Sequence, residues 1–307
     1  MITNLDPTSE LFLANVARIQ QQIADANRQV SSGKKIASPS DAPDQIDSLL
    51  QLRAAQARNS QIQSNLVLAN ADATGADNSL AAAIKLMDSA VTLAQQGTGM
   101  NTTDAVRQSL AQQVQTLQEE MVNYSQASVQ GRYIFGGDQG GTAPYSFDIT
   151  STNNAVVQNT SSPATAQVED PAGGSFSGSK TAEEIFDTRN ADGTPATDNV
   201  FAALNNLRIA LLSNDTTAIA GAIDPITQAS SHLNSMEAFY GSTQDRIQTA
   251  TDFAANNDVQ IKTQISQKED ADIAAEALSL TQANSQLQAA FEMRAKIPAT
   301  SLFNYLA

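Results

Sequence analysis

The chain has 307 residues, a formal net charge of -15, no Cys and no Trp. Its few Lys and Arg cannot replace the counterions of a phosphate backbone, and a chain without Cys forms no disulfide and does no thiolate chemistry. Aromatic residues make up only 5% of the chain, poor material for one large globular core, so stability is expected from many modest aliphatic contacts along helices.

The first segment carries Phe12, Val16, Ile19, Ile23, Ala26 and Val30 at alternating spacings of four and three, the seam of a coiled coil. The second keeps that rhythm through Ile62, Leu66, Ala69, Ala73, Ala76, Leu80, Ala83, Met87, Ala90 and Ala94, and its alanines allow close helix approach. A third run follows with Val106, Leu110, Val114, Leu117, Met121 and Tyr124. No proline falls between Asp44 and Gln130, so this region lacks the usual helix breaker.

The block from Gly131 to Val200 reads differently. It holds 9 of the 15 glycines, 4 of the 9 prolines and 6 of the 15 aromatics, and these turn formers separate short apolar runs. Tyr145–Ile149 and Ala155–Val157 fit small strands, while part of Ser151–Gly178 is expected to be mobile. Beyond it the sequence is helical again, with no proline between Ile226 and Ile297. Near the end, Ile273, Ala277, Leu280, Leu287 and Phe291 repeat the coiled-coil spacing, with polar Asn284 in one core slot. The fold class is therefore mainly α with an inserted β-rich domain. A helical rod whose N- and C-terminal helices pair is better suited to assembly than to catalysis.

Chemical sites are scarce. The one histidine, His232, lies in a helical pattern with no partner beside it in sequence, which points to a structural or surface role. Glu119 with Glu120, and Glu183 with Glu184, are adjacent on helices and point about 100° apart, so neither pair is expected to share a proton. Glu269, Asp270 and Asp272 read as a solvated helix face, since the calcium-loop spacing with its central glycine is absent. Gly136-Gly137 and Gly140-Gly141 lack the spacing and the Lys-Ser or Lys-Thr of a phosphate loop, and mark a bend into the inserted block. The Asn-x-Ser/Thr triplets at Asn101, Asn159 and Asn214 match a glycosylation pattern short enough to arise by chance. No catalytic residue, metal ligand or cofactor site is expected. No run approaches about 18 consecutive apolar residues, so no membrane insertion is expected, and the N-terminus lacks the pattern of a conventional secretory signal.

Three stretches carry a resemblance. Ser32-Gly33-Lys34-Lys35-Ile36-Ala37-Ser38-Pro39-Ser40-Asp41-Ala42-Pro43 resembles the N-terminal segment of the flagellin superfamily, where a helix ends at Gly and a Ser-Pro-Ser-Asp stretch leads into the next helix. Its Pro39-Ser40-Asp41-Ala42-Pro43 form is closer to the hook-associated proteins of the flagellar hook–filament junction than to flagellin, although Ala42 stands where a second Asp is common. Gln130-Gly131-Arg132-Tyr133-Ile134-Phe135-Gly136-Gly137 and Thr300-Ser301-Leu302-Phe303-Asn304-Tyr305-Leu306 are similar to the exit from the inner helices and to the C-terminus of the same proteins. The inserted block matches only in position and length.

The resemblance implies a three-part organisation. Residues 1–42 and 258–307 would be terminal coiled-coil helices, typically disordered in the free monomer and forming the inner assembly domain. Residues 43–135 and 198–257 would be a helical rod, and residues 136–197 an outer β-rich domain. It implies a structural component of the bacterial flagellum, outside the cell and secreted unfolded through the flagellar type III apparatus. The implied partners are another hook-associated protein, flagellin, copies of itself in a ring, and a flagellar export chaperone, with no nucleic acid. A flagellin-like filament subunit is the alternative. The expected interface residues are Phe12, Val16, Ile19 and Ile23 against Leu280, Leu287 and Phe291, with Leu302, Phe303 and Tyr305 anchoring the end.

Overall fold

Long stripes of Ala, Leu and Met without proline produce long helices in the structure, a computed structural model that describes residues 7–296. In chain order the helices, long and short, are α1 (Pro7–Ser32), α2 (Pro43–Gly97) and α3 (Asp104–Ser125), then, after the β-rich block, α4 (Ala182–Phe186), α5 (Val200–Leu212), α6 (Thr216–Gly221), α7 (Ile223–Glu269) and α8 (Ile273–Lys296). The chain divides into two units. One is formed by the described residues up to Arg58 and from Asn257 onward, the other by Asn59–Asn256.

The second unit holds most of the buried core. Of the stripe along α2, Ile62, Leu66, Ala73, Ala76, Leu80, Ala83, Met87, Ala90 and Ala94 are buried and Ala69 is half-buried. Helix α3 adds Leu110, Val114 and Met121, whereas Val106 from the same expected stripe is 48% exposed in the first turn. Helix α5 is apolar nearly all round and fills the interior with Val200, Phe201, Leu204, Leu207 and Leu211. Caps fix where these helices start. Thr103 accepts from the Val106 N–H, Asn199 from the Ala202 N–H, and Thr181 forms a reciprocal capping box with Glu184.

The β-rich block contributes three two-stranded antiparallel ladders. These are β1 (Ser128–Val129) with β2 (Arg132–Tyr133), β3 (Tyr145–Phe147) with β4 (Val156–Gln158), and β5 (Gln167–Glu169) with β6 (Ser175–Ser177). Segment 151–178, part of which the composition marks as mobile, thus supplies three of the six strands. Turn chemistry explains the difference: Asp148 accepts from Thr150 at the β3–β4 turn, and Asp170 accepts from the Ala172 N–H between β5 and β6. Between Phe135 and β3, Gly137 adopts φ +58°, and a Cβ there would meet the carbonyl oxygen of Ser162 at 2.3 Å.

The few aromatics are concentrated where this block meets the helices. Phe135 lies edge-on to Phe186 at 5.7 Å and to Tyr240 at 6.2 Å, while Phe201 contacts Tyr145 at 5.1 Å and stacks on Phe186 at 6.0 Å. Beside them Asp187, fully buried, accepts from the Tyr145 hydroxyl at 3.0 Å, the Arg189 guanidinium at 2.6 Å and the Asn199 amide at 2.8 Å. Burial, followed by the Asp187 carboxylate, pushes the Tyr145 phenol well above its ordinary value, so it remains a donor. Replacing Leu204 by Ala should cost about 2–5 kcal/mol of unfolding free energy. The same change at Ile209, 49% exposed on α5, should stay within about 0.5 kcal/mol. Urea unfolding followed by circular dichroism measures both, and equal losses would contradict the assignment of faces.

Candidate functional site

The first unit is built from residues at both ends of the described chain. Helix α1 places Val16, Ile19 and Ala26 in buried positions and Phe12, Ile23 and Val30 in half-buried ones, one continuous stripe at the heptad spacing. It packs against α8. The Arg294 guanidinium donates to the Ser9 hydroxyl at 2.8 Å and lies 5.7 Å over the Phe12 ring, which meets Phe291 edge-on at 6.1 Å. At the other end of the pair, the Ala271 N–H donates to the Gly33 carbonyl at 3.0 Å, so the helices run antiparallel.

The register of α8 departs from the sequence expectation. Leu280 and Leu287 are half-buried and lie on the stripe facing α1, but the stripe continues through Glu276, Ala283, Ala290 and Arg294. Ala283, 4% exposed, takes the slot expected for Asn284, which is exposed. Ile273 and Phe291 are 53% and 51% exposed; Phe291 reaches Phe12 only by its ring edge. Leu302, Phe303 and Tyr305 lie outside the described residues. Leu11, Leu13, Leu278 and Met293 are also more than half exposed on the same two helices.

A compact turn joins α1 to α2. Gly33 adopts φ +70° and its N–H donates back to the Gln29 carbonyl at 2.8 Å, a helix stop that suits glycine because it has no Cβ. The Asp41 carboxylate accepts from the Ser38 N–H at 2.7 Å and the Ala37 N–H at 2.9 Å, closing the Ser-Pro-Ser-Asp turn. Those backbone hydrogen bonds, Ser38 first, hold the Asp41 carboxyl below its usual value.

The largest correction concerns the acidic run at the end of α7. Glu269 is not on a solvated face: it is 3% exposed, pairs with the Lys34 ammonium, and accepts from the Arg53 guanidinium at 2.8 Å. Its carbonyl accepts from the N–H groups of Lys35 at 2.7 Å and Ile36 at 3.3 Å. Asp272 caps α8 by accepting from the Ala274 and Ala275 N–H groups, and Asp270 accepts from Ser266. These roles escape sequence reading because the cationic partners are distant, Arg53 lying 216 residues before Glu269.

The other candidate chemical groups have structural partners. His232 Nε2 donates to the Glu184 carbonyl at 2.9 Å, and Nδ1 lies 3.5 Å from Asp198. A hollow of about 480 Å³ in the inserted block is lined by residues including Ser161, Ser177, Lys180, Glu183 and Glu184. There Lys180 pairs with Glu184, and Glu183 accepts from Gln158 and Ser161. Among the described residues, no group of three or more His, Cys, Asp or Glu could hold a metal ion, and no helix is long and apolar enough to cross a membrane.

The bacterial flagellin N-terminal helical region matches residues 8–139 and the C-terminal helical region matches residues 223–306, together more than half of the chain. The chain belongs to the flagellin superfamily. Flagellar hook-associated protein 3 of Escherichia coli (strain K12) is 31% identical over 196 residues, 60% of this chain and 58% of that protein's length. The fold is shared with Xanthomonas campestris FlgL, at a TM-score of 0.59 and 17% identity over 70% of this chain and 99% of that one. It is also shared with a chain from Vibrio parahaemolyticus assigned to the flagellar hook-associated proteins, at 0.63 and 18% over 75% and 100%. These relatives belong to the structural apparatus of the flagellum.

Replacing Ile19 or Leu287 by Asp puts a carboxylate into the stripe between α1 and α8, at a cost of roughly 3–5 kcal/mol if it stays charged and unpaired. The expected outcome is loss of assembly and motility, with the main calorimetric transition of the Asn59–Asn256 unit shifted by no more than about 2 °C. A sharp fall in that transition would make these residues part of one cooperative core.

Proposed function

We propose that this chain is a junction protein of the bacterial flagellum, linking the hook side to the flagellin filament through residues 1–42 and 258–307. The observation that carries the reading is the likeness to hook-associated protein 3, in a chain whose terminal helices keep Leu11, Leu13, Leu278 and Met293 exposed after pairing. Leaving such side chains in water forgoes about 1.5–3 kcal/mol each, a gain that neighbouring subunits can recover on assembly. The interface residues are Phe12, Val16, Ile19, Ile23, Leu280, Leu287 and Phe291, with Leu302, Phe303 and Tyr305 completing the end of the chain.

In this reading the partners are another hook-associated protein on one side, flagellin on the other, and copies of this chain in a ring. An export chaperone precedes secretion through the flagellar type III apparatus to the outside of the cell. The role is structural rather than enzymatic. A filament subunit must offer complementary surfaces to copies of itself so that a heterologous contact repeats without limit, whereas a junction protein meets a different partner on each side.

The purified protein should stay monomeric or form short, irregular oligomers in salts that drive flagellin to polymerise. A strain lacking it should release unassembled flagellin into the medium. Long, regular filaments grown from this protein alone would overturn the reading in favour of a flagellin.

A further inference from the structure

The cations of the Asn59–Asn256 unit are few, and all but one have a settled environment. Arg132, Lys180 and Arg189 pair with Asp72, Glu184 and Asp187. Arg107 donates to the Gly97 carbonyl and to Asn214, Arg246 covers the Phe176 ring at 4.0 Å, and Lys85 is exposed. Arg208 is different. Half-buried on α5, it donates to the Asn205 amide oxygen at 2.9 Å and pairs with no carboxylate among the described residues, and its enclosed Nε–H finds no acceptor. The same Asn205 oxygen also accepts from Gln118 of α3 at 3.5 Å. Burial pushes the Arg208 guanidinium below its ordinary value.

The surroundings of Arg208 are apolar and open. Ile209, the next residue, and Leu212, one turn on, are 49% and 50% exposed, so α5 presents an arginine with two aliphatic neighbours. A surface of the opposite character lies elsewhere on the same unit. Thr92 and Leu93 of α2, with Gln113, Thr116 and Leu117 of α3, line a groove of about 400 Å³. Leu93 and Leu117 are its half-buried apolar part. Glu120, three residues beyond Leu117 and four beyond Thr116, falls on the groove side of α3, exposed and without an ion-pair partner. Arg107 and Gln118, which reach α5 and the loop after it, lie about a third of a turn away around α3.

We propose that these two surfaces join neighbouring copies of this chain: Ile209 and Leu212 of one copy enter the α2–α3 groove of the next, and Arg208 pairs with Glu120 at its edge. Every copy carries both halves of the match, an unpaired cation with an apolar flank and an unpaired carboxylate beside an apolar groove. The pairing gives the guanidinium the charged acceptor it lacks within its own chain. With 32 acidic residues against 17 basic ones, most other juxtapositions of two copies bring like charges together, which gives one arginine unusual weight in choosing the register.

Because the two patches are different faces of one unit, the contact is heterologous, the kind that repeats head to tail around a ring. The inference therefore rests on the reading that copies of the chain form a ring. A face of three side chains is too small for a stable free dimer, so the contact forms where the assembly already holds copies close together.

Charge reversal in assembled flagella tests the contact. Arg208→Glu and Glu120→Arg should each reduce the number of filament-bearing cells about tenfold or more, and the combined variant should restore it to within about threefold of wild type. No ion pair joins the two residues within one chain, so a loss caused only by a weakened fold would not be rescued. A second arm reads proximity. The chain has no Cys, so Thr92→Cys/Ile209→Cys carries its only thiols. A short bismaleimide added to isolated hook–filament assemblies should give a ladder of multimers from this variant and none from either single variant. If the two cysteines block assembly, the charge-reversal arm decides alone. The proposal is overturned by single reversals that leave filament number unchanged, or by a combined variant no better than the singles. It is equally overturned by assemblies that contain the double-cysteine chain but give no ladder, or by dimers from Ile209→Cys alone. Absence of the wild-type chain from hook–filament assemblies would remove the junction reading and this contact with it; its presence without rescue or ladder overturns the contact alone.

Discussion

Two helices from opposite ends of the described chain bury their apolar stripes against each other, and that pairing governs the unit they form. Val16, Ile19 and Ala26 on α1 are covered as α8 returns antiparallel along it. An isolated stripe of this kind buries too little surface to offset its ordering entropy, so the intervening chain must bring the two stripes together. The connections at Gly33–Asp41 and Glu269–Asp272 do so with defined chemistry: a left-handed glycine, a carboxylate-closed turn, a helix cap and a buried acid with two cations. Stability within Asn59–Asn256 is of a different kind, resting on a continuous aliphatic core and an aromatic cluster around Phe135, Phe186 and Phe201.

Much of this could be read in the sequence where periodicity and turn chemistry are local. The stripe from Ile62 to Ala94 is long enough to define one face without ambiguity, and nearly every residue of it is buried. The Ser-Pro-Ser-Asp stretch carries both its turn and its resemblance within a dozen residues. Helix α8 was harder to read because Ile273, Leu278, Phe291 and Met293 spread apolar side chains around the helix, and α1 selects only one of the available stripes. Small Ala283 fits that close approach better than Asn284, a choice that depends on a partner absent from the local pattern.

Glu269 shows the opposite limit. Acidic residues in a run usually mark solvent, and nothing nearby in sequence signals that Lys34 and Arg53 converge on this one. The strands of segment 151–178 are short and depend on Asp148 and Asp170 turns, so composition alone describes them poorly. Both cases place the missing information in contacts between distant segments.

The functional account depends on where such a subunit resides. A chain that keeps apolar side chains exposed on its terminal helices after pairing suits a site where neighbours complete the burial, and a junction needs a bounded number of copies where a filament needs many. The most direct measurement is electron cryomicroscopy of intact hook–filament assemblies carrying a compact tag inserted in this chain at the exposed Asp192–Gly193 turn. The account predicts tag density confined to one narrow zone between the hook and the first flagellin subunits; tag density repeating along the length of the filament would contradict it.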